Sequence, residues 1–87
     1  MQSIGPNASP APVFTAGFPG IHSFVVLGTS LLGAVLDVNG AQIGNTSVVS
    51  DSAIRQIAFD VYLASGDVLS YEGPAADLAG VRVGDEL

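Results

Sequence analysis

Apolar and polar positions alternate most regularly between Gln56 and Leu63. Ile57, Phe59, Val61 and Leu63 fall on one side, and Gln56, Ala58, Asp60 and Tyr62 on the other. Period two marks a strand with one apolar face. Ile54, Ile57, Ala58 and Val61 also share a helical stripe. That stripe leaves Phe59 and Leu63 on the wrong side, and β-branched and aromatic residues favour the strand. Gly66 permits the positive φ of a tight turn, and the chain returns through Val68 to Tyr71. The pattern predicts a hairpin over 57–71.

His22 to Leu27 reads as a second strand. Its continuous run Phe24-Val25-Val26-Leu27 fits a strand buried on both faces. Leu31 to Val38 is a third. Asn39-Gly40 then signals a two-residue hairpin turn, with Ala41 to Ile43 as the start of the return strand. Gly44-Asn45 reads as a turn and Val48-Val49 as a short edge strand. Asp51 or Ser52 is placed to cap one helical turn. Gly73-Pro74 breaks the last strand of the hairpin. Residues 74–79, opening on Pro74 and closed by Gly80, predict a short helix. Val81-Arg82-Val83 predicts a final short strand.

Residues 1–20 hold four of the chain's five prolines: Pro6, Pro10, Pro12 and Pro19. Proline removes donors and fixes φ, so this stretch predicts an extended arm. Val13, Phe14 and Phe18 are apolar beads on it. They suggest that the arm docks, on its own domain, a sister subunit or a foreign surface. The expected organisation is an arm over 1–20 and a β domain over 21–87. The expected fold class is all-β: a small antiparallel sandwich or barrel with an extended N-terminal arm and at most one or two short helical turns. Strands as apolar as 24–27 and 57–63 are hazards at an open edge, and the chain has no lysine to guard them. Coverage of some edges by the arm or by another subunit is expected.

Composition sharpens this picture. A chain of 87 residues is one domain at most, and a domain this small is marginal alone. It has no cysteine, so neither a disulfide nor a thiolate metal site reinforces it. Association with other chains is a natural supplement. The net charge is −6, with only Arg55 and Arg82 as cations. Binding a phosphate backbone or an anionic membrane needs several cations, so neither is an expected partner. The apolar run from Phe24 to Val38 is shorter than the ~20 residues that span a bilayer. No Lys or Arg precedes it, so no signal peptide is read and synthesis in the cytoplasm is expected.

The candidate chemistry is thin. His22 is the only histidine, and no G-x-S-x-G elbow accompanies it. No carboxylate spacing singles out an acid–base pair. Asp37-Val38-Asn39-Gly40 has the start of a calcium loop, but Val48 stands where an EF-hand needs glutamate. Asn7-Ala8-Ser9 and Asn45-Thr46-Ser47 match the glycosylation pattern by composition alone. The sequence therefore points to a non-enzymatic protein with no catalytic residue, cofactor or metal site.

Two resemblances bear on function. Gly73-Pro74-Ala75-Ala76-Asp77-Leu78-Ala79-Gly80-Val81-Arg82-Val83-Gly84-Asp85-Glu86-Leu87 resembles the short-helix-and-strand segment of PDZ domains. Val35 to Gly40 looks like that family's next strand and turn, but it lies upstream. The resemblance thus implies a circularly permuted peptide-binding module. The layout of the whole chain is similar to small bacteriophage virion proteins, notably capsid cement or decoration proteins. This second resemblance implies a structural protein of the virion that clamps a larger assembly such as a capsid shell. It also implies a homo-oligomer, commonly a trimer. Val13, Phe14 and Phe18 of the arm are then the expected partner-binding residues.

Overall fold

The computed structural model describes residues 1–43 and 53–84. Among the described residues, eight strands form two four-stranded antiparallel sheets packed as a sandwich. They are β1 Gln2–Ile4, β2 Asn7–Thr15, β3 Gly20–Leu27, β4 Val35–Val38, β5 Ala41–Gln42, β6 Gln56–Leu63, β7 Val68–Gly73 and β8 Ala76–Gly84. The first sheet has the order β1-β8-β3-β6 and the second β2-β7-β4-β5. It is a sandwich, not a closed barrel, and the described residues contain no helix.

The core lies between the sheets. In β3, Phe24 and Val26 are buried and alternate with half-buried Val25 and Leu27. Ile57, Phe59 and Leu63 of β6 line up with them from the next strand. Leu36, Leu69 and Tyr71 face them from the second sheet, and Leu31 fills in from the loop before β4. Burying each such side chain contributes roughly 1.5–3 kcal/mol. β3 is central, with β6 on one side and β8 on the other. The run Phe24–Leu27 is nevertheless not buried on both faces, because among the described residues no third layer covers its outer side chains.

Several expectations are corrected. The 57–71 hairpin is two strands in different sheets. β6 pairs with β3 in an eight-residue register, while β7 lies between β2 and β4. An alternating pattern says that two faces are apolar. It does not say whether they lie side by side or face each other across a core. The turn itself is real: Asp67 N–H donates to Ala64 O at 3.0 Å, with Gly66 at φ 91°. The helix expected over 74–79 is the start of β8. Six residues are too few for a stable isolated helix. As a strand they bury Ala76 and Leu78 and pair with both β1 and β3. The helix implied by the PDZ resemblance is thereby lost. The strand expected over 31–38 covers only Val35–Val38, after a turn closed by Ala34 N–H to Leu31 O at 3.0 Å. The features expected at Gly44-Asn45, Val48-Val49 and Asp51 or Ser52 lie outside the described residues.

The arm is extended, as its prolines require, but it belongs to the sandwich. β1 edges the first sheet and β2 the second. The chain crosses between them at Gly5-Pro6, where a Cβ on Gly5 would lie 2.7 Å from Pro74 O. The boundary expected at residue 20 therefore separates no two units. The strands it covers are its own: β1 part of β8, and β2 the outer side of β7.

The Asn39-Gly40 turn is present as expected. Asn39 and Gly40 have φ of 52° and 88°, and Val38 pairs with Ala41. Asn39 also ties this turn to the β6–β7 turn. Its backbone N–H donates to Val68 O at 2.9 Å, its Oδ1 accepts from Val68 N at 2.9 Å, and its Nδ2 donates to Asp67 Oδ1 at 3.0 Å.

Candidate functional site

β1 runs along β8 only from Ala76 to Leu78. β3 follows the opposite side of β8 as far as Gly84. Among the described residues, no strand covers the outer edge of β8 from Ala79 to Gly84. An open row of backbone donors and acceptors invites another strand. Natural edges are commonly guarded by a charged side chain, proline or a bulge. This edge has two such devices, the exposed charge of Arg82 and an extra residue at Val83 where the register with β3 shifts.

The side chains along the open edge are unusual for a surface. Val81 is 62% exposed and Val83 64% exposed. Phe18, on the loop after β2, is 69% exposed. The Arg82 guanidinium sits 5.8 Å from the Phe18 ring centroid, and its Nη1 donates to Pro19 O at 3.2 Å. A cation over an exposed aromatic face contributes about 0.5–1 kcal/mol. It also holds the ring in one place.

Beneath this edge is a half-open pocket of about 180 Å³. Gly80, Val81 and Arg82 form one wall and Gly17 and Phe18 the other, with Phe14 and His22 at the floor. His22 is 3% exposed. Its Nδ1 lies 3.0 Å from the Gly20 carbonyl. A carbonyl only accepts, so Nδ1 carries the proton. Phe14 meets the imidazole edge to face at 5.6 Å, and Phe24 stacks on it at 6.1 Å. The histidine is thus a packed wall of the pocket, oriented by the backbone.

The outer face beside the edge is mostly apolar. Val25 lies between Ala58 and Ala79, and Ile21 beside Tyr62. Ser23 lies between Asp60 and Val81, and its Oγ donates to Asp60 Oδ1 at 2.5 Å.

The three partner-binding residues expected on the arm part company. Val13 and Phe14 are partly buried against the chain's own core, so they are not free anchors. Phe18 alone projects. The sequence reading missed Val81, Arg82 and Val83 as members of the same site. Val81-Arg82-Val83 reads as a strand in the sequence, but its place beside the loop that carries Phe18 depends on the long-range pairing of β8 with β3. No group of three or more histidine, aspartate or glutamate side chains converges as a metal site among the described residues. No protein-family model matches this chain, nor does any curated protein or solved structure.

Proposed function

We propose that this chain is a non-enzymatic structural protein that assembles by strand addition at the open edge of β8. The observation carrying this reading is the conjunction at one edge of an uncovered strand with exposed Phe18, Val81 and Val83. The occupant we assign is a second copy. Paired antiparallel, two β8 edges continue the first sheet across a two-fold axis and set apolar faces side by side. A capsid cement or decoration role in a virion is the setting in which such a small sandwich would work. Its grip would come from this edge and Phe18 beside it, because β1 and β2, which make up most of residues 1–20, are strands of the body. Isologous pairing gives a dimer; the trimer implied by the virion resemblance would need a heterologous contact.

Light scattering across a concentration series tests the reading. The wild type should form a dimer. A Phe18→Ser, Val81→Lys, Val83→Lys variant should be folded and monomeric, with a thermal midpoint that no longer rises with protein concentration. Because each copy carries −6, the dimer should strengthen with added salt. A wild type that stays monomeric, or a variant that dimerises equally well, would overturn it.

A further inference from the structure

Asn39-Gly40 is the only Asn-Gly pair in the chain. Such a pair is chemically reactive, because glycine has no side chain to shield its nitrogen. The Gly40 nitrogen bonds to Asn39 Cγ and gives up its proton, and the side-chain nitrogen leaves as ammonia. Water then opens the cyclic imide at either carbonyl. The net change is one water in and one ammonia out, leaving aspartate or isoaspartate at position 39.

The fold restrains this reaction. Attack requires Cγ to swing toward the Gly40 nitrogen. Both ends of the amide are engaged elsewhere: Oδ1 by Val68 N at 2.9 Å and Nδ2 by Asp67 Oδ1 at 3.0 Å. Asp67 is itself held, since its Oδ2 accepts from Ala64 N at 2.9 Å. We infer that Asn39 is a latent deamidation site, kept closed by its clamp to Asp67 and Val68, whose aspartate product can still accept from Val68 N but has lost the donor to Asp67. The product carries a carboxylate where an amide donor stood, facing the Asp67 carboxylate. Like charges at that spacing repel, and no proton remains to bridge them. The isoaspartate form also adds a methylene to a two-residue turn whose geometry is set by its backbone angles. Deamidation thus replaces the Asn39–Asp67 tie between the β4–β5 and β6–β7 turns with a repulsion, leaves the backbone bond to Val68 O as the main link, and does not reverse.

Mass spectrometry of the whole protein, held folded or in urea, tests this. Deamidation adds about 1 Da, and peptide mapping assigns it to position 39. The folded chain should react at least about tenfold more slowly than the unfolded chain, because attack waits on local opening. Folded Asp67→Ala should react faster than the wild type, and Gly40→Ala should slow the unfolded chain. An Asn39→Asp variant should melt below the wild type, and adding Asp67→Asn should restore part of the loss by returning a donor to the pair. Equal rates in the folded and unfolded wild type would overturn the inference. So would a wild-type rate in folded Asp67→Ala, or an Asn39→Asp variant that melts with the wild type.

Discussion

The Phe24 ring occupies the place where Gly80 would carry a side chain. The two residues are register partners across β3 and β8, and a Cβ on Gly80 would lie 2.6 Å from both Cδ1 and Cε1 of Phe24. Two effects oppose each other in a Gly80→Ala substitution. Glycine inside a strand costs about 0.5–1 kcal/mol in backbone entropy, which alanine would recover. Forcing Phe24 off its rotamer costs about 1–3 kcal/mol. The ring is fully buried against Phe14, His22 and Phe59, so it has little room to give. Overpacking should win, and urea denaturation should show a lower midpoint. In a Phe24→Leu background the same substitution should cost less, and equal cost in both backgrounds would disprove the steric account.

Tyr71 fastens the corner between β7 and β8. Its hydroxyl donates to Pro74 O at 2.7 Å, and burial pushes it above its ordinary value of 10.0. Tyr71→Phe keeps the ring and leaves the Pro74 carbonyl without its donor, which should cost about 1–3 kcal/mol. The pH dependence follows from the direction of the shift. The folded state holds this proton more tightly than the unfolded state, so stability is complete below pH 10 and declines as pH rises toward the folded value. Thermal melts across the alkaline range should show that decline in the wild type and a weaker one in Tyr71→Phe.

Asp67 titrates in the opposite sense. Its hydrogen bond from Asn39, then that from Ala64 N, hold its carboxyl below the ordinary 3.8. A lowered value means that the stabilisation is present above the unfolded value and is lost as pH falls through the folded one. Unfolding free energy measured by urea denaturation at a series of pH values should therefore fall less steeply on acidification in Asn39→Ala than in the wild type. An unchanged slope would detach Asp67 from the clamp.

Strands were more legible than their partners. Period two over 56–63 and the positive φ required by Asn39-Gly40 are local properties, and both are present in the fold. Which sheet a strand joins is set by long-range pairing. The eight-residue register of β3 with β6 outweighs the short loop that suggested a hairpin. At 74–79, proline and alanine propensity pointed to a helix, but the pull of β1 and β3 on both edges made a strand. The candidate site was missed for the same reason, because Val81 and Val83 become neighbours of Phe18 only after β8 lies beside β3.

Phe14 and Phe18 are four residues apart in a proline-rich stretch, and nothing local separates them. The fold does. Phe14 packs edge to face against His22 and Phe24, whereas Phe18 stands in solvent under Arg82. Truncating Phe14 removes part of the core and should cost about 2 kcal/mol, less than the 3–5 of a fully buried phenylalanine. Truncating the exposed Phe18 ring removes the cation contact from Arg82 and should cost no more than about 1 kcal/mol. The prediction is a crossed pair of outcomes. Phe14→Ala should lower the denaturation midpoint of the dilute monomer while leaving any dimer of the folded protein intact, and Phe18→Ala should weaken the dimer while leaving the dilute monomer's midpoint nearly unchanged. Calorimetry and light scattering on the two variants suffice. If Phe18→Ala destabilised the fold as much as Phe14→Ala, Phe18 would belong to the core and the β8 edge would lose its aromatic anchor.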